Sequence, residues 1–325
     1  MVIDAAQLKR RYLQRIAGAR DRQVYVGPEV VTLEVINSCN LSCQYCRFHA
    51  PGNPHHFEKV QVFPWERFLK VVCDCVDLNV DQIQISGSGE PTMHPLFRDM
   101  MRHLEQQPLQ VKLFTNATFP LDYCSDVIKG DHVIIDLSAV DREQYRDLHG
   151  KDLFDRVVHN IERLVSLRDA GKPGFLIEIV YIVNAVNIDQ KQKMQEMASR
   201  LGVNAVDFWK MHVHDYNREI VLPEGYLSDL EGEEKKTPPI CLNGWFYMVA
   251  ELDGSASTCC RIPQMRLGDF DKESLKQIWL SKHMMNMRLL GKYGHIQKMF
   301  KACQTCPFYD ENIQRSQDLV GPERK

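Results

Sequence analysis

The chain has 325 residues, 44% of them hydrophobic, a net charge of −3 and eleven cysteines. That length and apolar content suit one large α/β domain with a smaller appendage, and the near-neutral balance gives no footing for a nucleic-acid partner. No apolar run approaches the ~20 residues that span a bilayer, so no membrane association is expected.

Residues 1–27 place Leu8, Tyr12 and Ile16 four apart, which predicts an amphipathic surface helix. The segment lacks the apolar centre of a signal peptide, so a cytoplasmic location is expected. Thiols there stay reduced, and clustered cysteines read as metal ligands or catalysts. From residue 28 to 217, short β-branched runs alternate with amphipathic helical patterns. The runs are 31–36, 82–86, 111–115, 133–138, 175–183 and 205–210; the helical patterns are 63–79, 94–106, 152–170 and 188–201. This alternation predicts a parallel sheet with crossover helices. Six units are too few for a closed eight-stranded barrel, so the expected fold is a partial (β/α)6 TIM-like barrel. Its chemistry belongs at the C-terminal ends of the strands.

Residues 218–239 are polar and rich in Gly, Pro and charge, and read as a linker. From 240 to 310 a small subdomain is expected: a hairpin turning at Asp253-Gly254, one helix over 274–290 with its methionines as core filler, and a final cysteine pair. Residues 311–325 read as a polar tail.

Cys39, Cys43 and Cys46 follow directly on the first strand. Three thiolates so close can hold three irons of a [4Fe–4S] cluster and leave the fourth open to a ligand. Zinc is the rival, with His49 as a conceivable fourth ligand. Downstream of the second strand lies Ser86-Gly87-Ser88-Gly89-Glu90-Pro91-Thr92, where glycines permit close backbone approach. The C-x3-C-x2-C spacing with Tyr45 before its last cysteine, followed by this GEP-containing loop, resembles the signatures of the radical S-adenosylmethionine (radical SAM) superfamily. Ser88 stands where that family's motif has a glycine.

The resemblance covers about residues 28–215. It implies that the methionine end of S-adenosylmethionine chelates the open iron, and that reductive cleavage yields a 5′-deoxyadenosyl radical which takes a hydrogen atom from substrate. By position, Gly87, Gly89 and Glu90 fall in the loop that holds the methionine ammonium. Ser138 would face the ribose or the carboxylate, and Asn116 and Lys210 would line the cavity. An electron donor such as flavodoxin or ferredoxin is implied.

Cys241, Cys259 or Cys260, Cys303 and Cys306 can close four ligands around a second metal group. Spacing alone admits zinc or an iron–sulfur cluster. Cys241, Asp253-Gly254, Cys259 and Cys303-x2-Cys306 resemble the shorter, twitch form of the SPASM appendage, which implies one auxiliary [4Fe–4S] cluster, hence two clusters in all. That assigns Cys259 as ligand and leaves Cys260 as a buried packing residue or a hydrogen-atom donor. Cys73, Cys75 and Cys124 read as packing residues. His212, after the sixth strand, is a candidate proton acceptor, and Glu178, an acid within the apolar fifth strand, would aim at substrate. His49 and His94 would shape the two signature loops.

The resemblance extends to 2-deoxy-scyllo-inosamine dehydrogenase and to radical SAM epimerases. It therefore implies either auxiliary-cluster-assisted dehydrogenation or epimerisation with Cys260 as donor. A non-catalytic metal scaffold is the alternative from another class. Peptide-modifying relatives often carry an N-terminal recognition domain, and about 27 residues precede the first strand here. A small molecule such as a sugar, cyclitol or nucleoside is the expected substrate, with a short peptide as the alternative.

Overall fold

A computed structural model describes residues 4–53, 57–211, 240–260, 262, 265–300, 303, 306 and 308–320. His212 and the linker at 218–239 lie outside the described residues. The strands are β1 (Val30–Glu34), β2 (Gln82–Ser86), β3 (Gln110–Thr115), β4 (His132–Asp136), β5 (Leu176–Val183) and β6 (Ala205–Lys210). Five longer helices pack around them: α1 (Ala5–Asp21), α2 (Trp65–Asp77), α3 (Phe97–Glu105), α6 (Phe154–Gly171) and α7 (Lys191–Leu201). Two further helices, α4 (Cys124–Val127) and α5 (Arg142–His149), have no counterpart in the periodicity reading. Asp141 caps α5 through a bond from Gln144 N, and Gly150 closes it with φ +77°.

All six strands run parallel, in the order β6-β5-β4-β3-β2-β1. Their residues alternate between two faces. Val31, Leu33, Ile83, Ile85, Val111, Leu113, Val133, Ile135, Ile177 and Ile179 are buried in the main core. Burial of each such side chain contributes about 1.5–3 kcal/mol. The opposite, inner face carries Thr32, Glu34, Gln84, Lys112, Asp136, Glu178 and Asp207. An apolar sheet covered on one side only leaves this polar face to line a site.

The C-terminal region is not detached from that sheet. After α8 (Asn243–Phe246), β7 (Tyr247–Ala250) pairs parallel with β1, from Val30↔Tyr247 to Leu33↔Ala250. Strands β8 (Ser255–Ser257) and β9 (Gly268–Asp269) follow antiparallel, which makes one nine-stranded sheet. The hairpin turns at Gly254, whose φ is +90°. Arg67 of α2 donates to Asp271 from Nε and Nη2 and to Leu252 O from Nη1, and Asp74 accepts from Leu275 N at 2.7 Å.

Three expectations need correction. The helix over 274–290 is two helices, α9 (Leu275–Trp279) and α10 (Lys282–Lys292), because the Ser281 hydroxyl caps Met284 N and starts a new one. A short α11 (Ile296–Met299) follows. The stretch from 311 is not a tail: α12 (Tyr309–Val320) packs on α1, where Tyr12 Oη donates to Asp318 at 2.5 Å. Cys73 is exposed, facing away from the core that Cys75 enters; Cys75 and Cys124 are buried. Met284 is core, as the filler reading expects.

Candidate active site

The loop holding Cys39, Cys43 and Cys46 leaves β1 at the C-terminal edge of the sheet. It is stitched to the end of α5: Ser42 N donates to His149 O at 3.3 Å and Gln44 N to Leu148 O at 2.8 Å. A Cβ on Gly150 would sit 3.0 Å from Ser42 O, so this approach needs a glycine. The glycine loop after β2 lies against the same segment. Glu90 N donates to Ser38 O at 2.9 Å, and a Cβ on Gly89 would collide with the Ser38 backbone, its carbonyl oxygen first. Gly87, at φ +152°, passes the backbone of Glu34 and Ile36. His49 Nε2 meets Ser88 O at 2.7 Å, and His94 Nε2 meets Phe63 O at 3.1 Å, so each ties down its loop.

The three thiols converge in an apolar shell of Leu41, Leu148, Met211 and Ile182. Burial pushes the Cys39 thiol up to about 12, and Cys43 and Cys46 also rise, each feeling a neighbouring acid or thiol. N–H groups point at the sulfurs: Leu41 N to Cys39 Sγ at 3.4 Å, and Phe48 N and His49 N to Cys46 Sγ at 3.4 and 3.3 Å. One buried and two half-buried thiols, met by donors, fit anionic sulfur ligands of a cluster, whose iron would displace their protons.

Other cofactor candidates have specific places. Glu90 is buried; its Oε1 accepts from Thr92 N, Thr92 Oγ1 and Thr115 Oγ1, and its Oε2 from Asn116 N at 2.7 Å. It thus fixes the end of β3 to the glycine loop. Asn116 Nδ2 lies 3.0 Å from Asn40 Oδ1 and 3.8 Å from Cys39 Sγ. Ser138 is fully buried, so its hydroxyl does not face the cavity: it donates to Asp136 at 3.0 Å and accepts from Ile182 N. The half-buried group at the end of β4 is Asp136, which residue spacing did not single out. Burial pushes it up to about 6, and both its oxygens lie 3.0 Å from Tyr45 Oη. His149 was also missed; its ring lies against Cys43 and Tyr45.

Glu178 is not among the groups at the catalytic edge. It is the third residue of the eight in β5, towards the N-terminal end of the inner face, where His132 Nε2 lies 2.9 Å from its carboxylate. Lys210 is the last residue of β6, paired with Val183.

The second group of thiols also closes up. Cys241, Cys303 and Cys306 each feel the charge of Cys259, and Cys241 feels Cys303 and Cys306 as well. Burial pushes Cys241 up to about 12 and Cys306 up to about 11. Gly291 permits this: a Cβ there would collide with Cys241 O. Four converging thiols fit a fully protein-ligated [4Fe–4S] cluster. Cys260 is exposed rather than packed, and acts on the phenol of Tyr247, whose hydroxyl bonds Thr32 Oγ1 at 2.7 Å on the inner face.

Between the two cysteine groups lies an acid pair absent from the sequence reading. Continuing the β1–β7 register sets Glu34 beside Glu251, and the two carboxyls share a hydrogen bond. Ser257 Oγ donates to Glu251 Oε1 at 2.6 Å. Desolvation, then the charge of Glu251, pushes Glu34 up to about 8. In the unfolded chain a glutamate titrates near 4.5, so the native state binds the extra proton between those values. The contribution of this group to stability is therefore full below 4.5 and is lost as pH rises through 8. Glu34→Gln, permanently neutral, is expected to gain on the native protein by on the order of a few kcal/mol between pH 6 and pH 9. Thermal unfolding at the two pH values checks this; an unchanged difference between variant and native protein would refute it.

A strand-end cysteine triad beside a glycine–glutamate loop, on a six-stranded half barrel, with a four-cysteine appendage, defines a class of two-site iron–sulfur enzyme. The Radical SAM superfamily model matches residues 33–184 and the SPASM iron–sulfur cluster-binding domain matches 241–307. The chain belongs to the radical SAM superfamily and carries a SPASM-type C-terminal domain. It uses S-adenosylmethionine and [4Fe–4S] chemistry. Among sequence relatives is a "Probable GTP 3',8-cyclase" of Saccharolobus islandicus, 24% identical over 71% of this chain and 82% of its own. SuiB of Streptococcus suis, bound to S-adenosylmethionine, shares the fold with a TM-score of 0.66 at 13% identity, over 89% of this chain and 74% of its own. BtrN, in complex with AdoMet and 2-DOIA, does so with a TM-score of 0.54 at 14% identity, over 86% and 93%. Among the described residues no helix is long and apolar enough to cross a membrane.

Proposed function

We propose that this radical SAM enzyme oxidises a carbon of a small polar molecule, such as a sugar, cyclitol or nucleoside, by removing two hydrogens. The observation that carries the reading is the convergence of four thiols, Cys241, Cys259, Cys303 and Cys306. Four protein ligands leave no open iron for a substrate, which suits an electron acceptor. When bound, the group on Cys39, Cys43 and Cys46 with S-adenosylmethionine supplies a hydrogen-abstracting radical, and the group on the second set supplies a sink for one electron. An outside donor such as flavodoxin or ferredoxin would provide the priming electron.

The protein's own task is then the proton. An alcohol that has lost its C–H hydrogen atom becomes a carbonyl once its O–H proton and one further electron leave. Glu251, which shares one proton with Glu34 and is steadied by Ser257, is the carboxylate on the inner face suited to receive it. Asp136 and the glycine loop would receive the polar parts of S-adenosylmethionine, with Tyr45 and Ser138 holding Asp136 in place.

A second reading rests on the exposure of Cys260 beside Tyr247. A thiol there could return a hydrogen atom and invert the centre. Anaerobic turnover in heavy water against polyols, aminocyclitols and nucleosides separates the two. A product two hydrogens lighter supports oxidation. A product one mass unit heavier than substrate, with one carbon-bound deuterium and lost in Cys260→Ala, would instead establish epimerisation.

A further inference from the structure

The buried histidine that ends α5 is not called upon by the chemistry above. His149 is 0% exposed. Its ring stacks on Tyr145, with centroids 4.2 Å apart and planes at 17°, and meets Tyr45 edge-on at 5.7 Å. Tyr45 Oη lies near both ring nitrogens, 3.2 Å from Nδ1 and 3.4 Å from Nε2, and a backbone partner settles which of them carries the proton. Ser138 N donates to Nε2 at 3.3 Å, and a backbone N–H can only donate. Nε2 is therefore the bare acceptor and Nδ1 bears the hydrogen. Nδ1 lies 3.4 Å from Cys43 Sγ and 3.2 Å from Tyr45 Oη. The tyrosine's own proton is directed at Asp136, so its oxygen accepts. The Nδ1–H is thus shared between Tyr45 Oη and Cys43 Sγ.

We propose that His149 is a positioning residue that donates an N–H···S hydrogen bond to Cys43 and thereby raises the reduction potential of the first cluster. This rests on Cys43 being a ligand of that cluster. Cys39 and Cys46 receive backbone donors from their own loop, whereas Cys43 takes this donor from a helix about a hundred residues further along the chain. Adding an electron makes the sulfur ligands more negative. A donor fixed against one of them therefore favours the reduced state, and hydrogen bonds to cluster sulfurs are a recognised control of potential. The fixed tautomer matters: were Nε2 protonated instead, a lone pair would face the thiolate and the effect would reverse.

The test is a redox titration of the full holoenzyme, followed by electron paramagnetic resonance. The signal that changes on adding S-adenosylmethionine identifies the first cluster. His149→Phe keeps the ring stacked on Tyr145 and removes the donor. At the native midpoint its oxidised-to-reduced ratio should rise about tenfold, equivalent to 59 mV for a one-electron couple. His149→Asn, whose amide can take the place of Nδ1, should stay near the native potential. His149→Gln, whose amide reaches the Nε2 position, should behave like Phe. An intact cluster of unchanged potential in His149→Phe overturns the proposal. Should that variant assemble no cluster, equal potentials for Asn and Gln overturn it, and a lower potential for Gln supports it. A cofactor-responsive signal that survives Cys43→Ala would instead show that the ligand assignment is wrong.

Discussion

Cys43→Ala is expected to drop the iron content of the reconstituted chain from about eight atoms to about four and to reduce 5′-deoxyadenosine formation to background. Cys43 is the deepest of the three thiols, packed with Leu41, Leu148 and Met211, and its polar neighbours His149 and Asp136 are already held by Ser138 and Tyr45. Only two of the three sulfurs, Cys39 and Cys46, would remain to hold the first cluster. The second set of cysteines is independent of this change and should keep its own visible absorption. Iron analysis with product chromatography reads both quantities from one sample. Undiminished 5′-deoxyadenosine from a chain lacking Cys43 would mean that this triad does not generate the radical.

Cys306→Ala should act in the opposite pattern. Its thiol is one of four that close the second site, and three remain. The chain should still cleave S-adenosylmethionine when reduced, because Cys39, Cys43 and Cys46 lie on a different edge of the sheet. Oxidised product should fall by about a hundredfold or more, since the electron left on the substrate has no acceptor. The ratio of 5′-deoxyadenosine to product, expected near unity for the native enzyme if each radical serves one turnover, should then rise steeply. A variant that makes product at the native rate after losing its second set of irons would rule out electron acceptance as the role of that site.

The strands and both cysteine groups were legible in the sequence because period and spacing are local properties. The groups between them were not. Glu178 drew attention as an acid in an apolar strand, yet the same criterion applies to Glu34 in VTLEVI. What separates the two is height along the strand: Glu34 ends β1, while Glu178 lies three residues into β5 and is spent on His132. Asp136 was missed in favour of Ser138, two residues on, although both fall on the same alternation; only burial distinguishes them. His149 could have been found from Asp141 and Gly150, which cap a short helix at either end, but the pairing of its last residue with Cys43 spans about a hundred residues and no local pattern encodes it. Glu251 needed the register of β7 on β1, which joins segments more than two hundred residues apart.

That β1–β7 ladder makes the sheet a ruler. Each residue along it advances about 3.3 Å, so the gap between the radical-generating edge and the second set of thiols is set by counting peptide units rather than by the pose of a swinging lobe. It also fixes handedness of presentation. A one-residue insertion between Cys241 and Asp253 would turn Tyr247, Val249 and Glu251 towards the helices and bring Met248 and Ala250 to the substrate side. Appendages of this kind can be exchanged between relatives only in steps that preserve parity, and a chimera joined out of phase should fold its half barrel yet present a greasy wall where the acid pair ought to be.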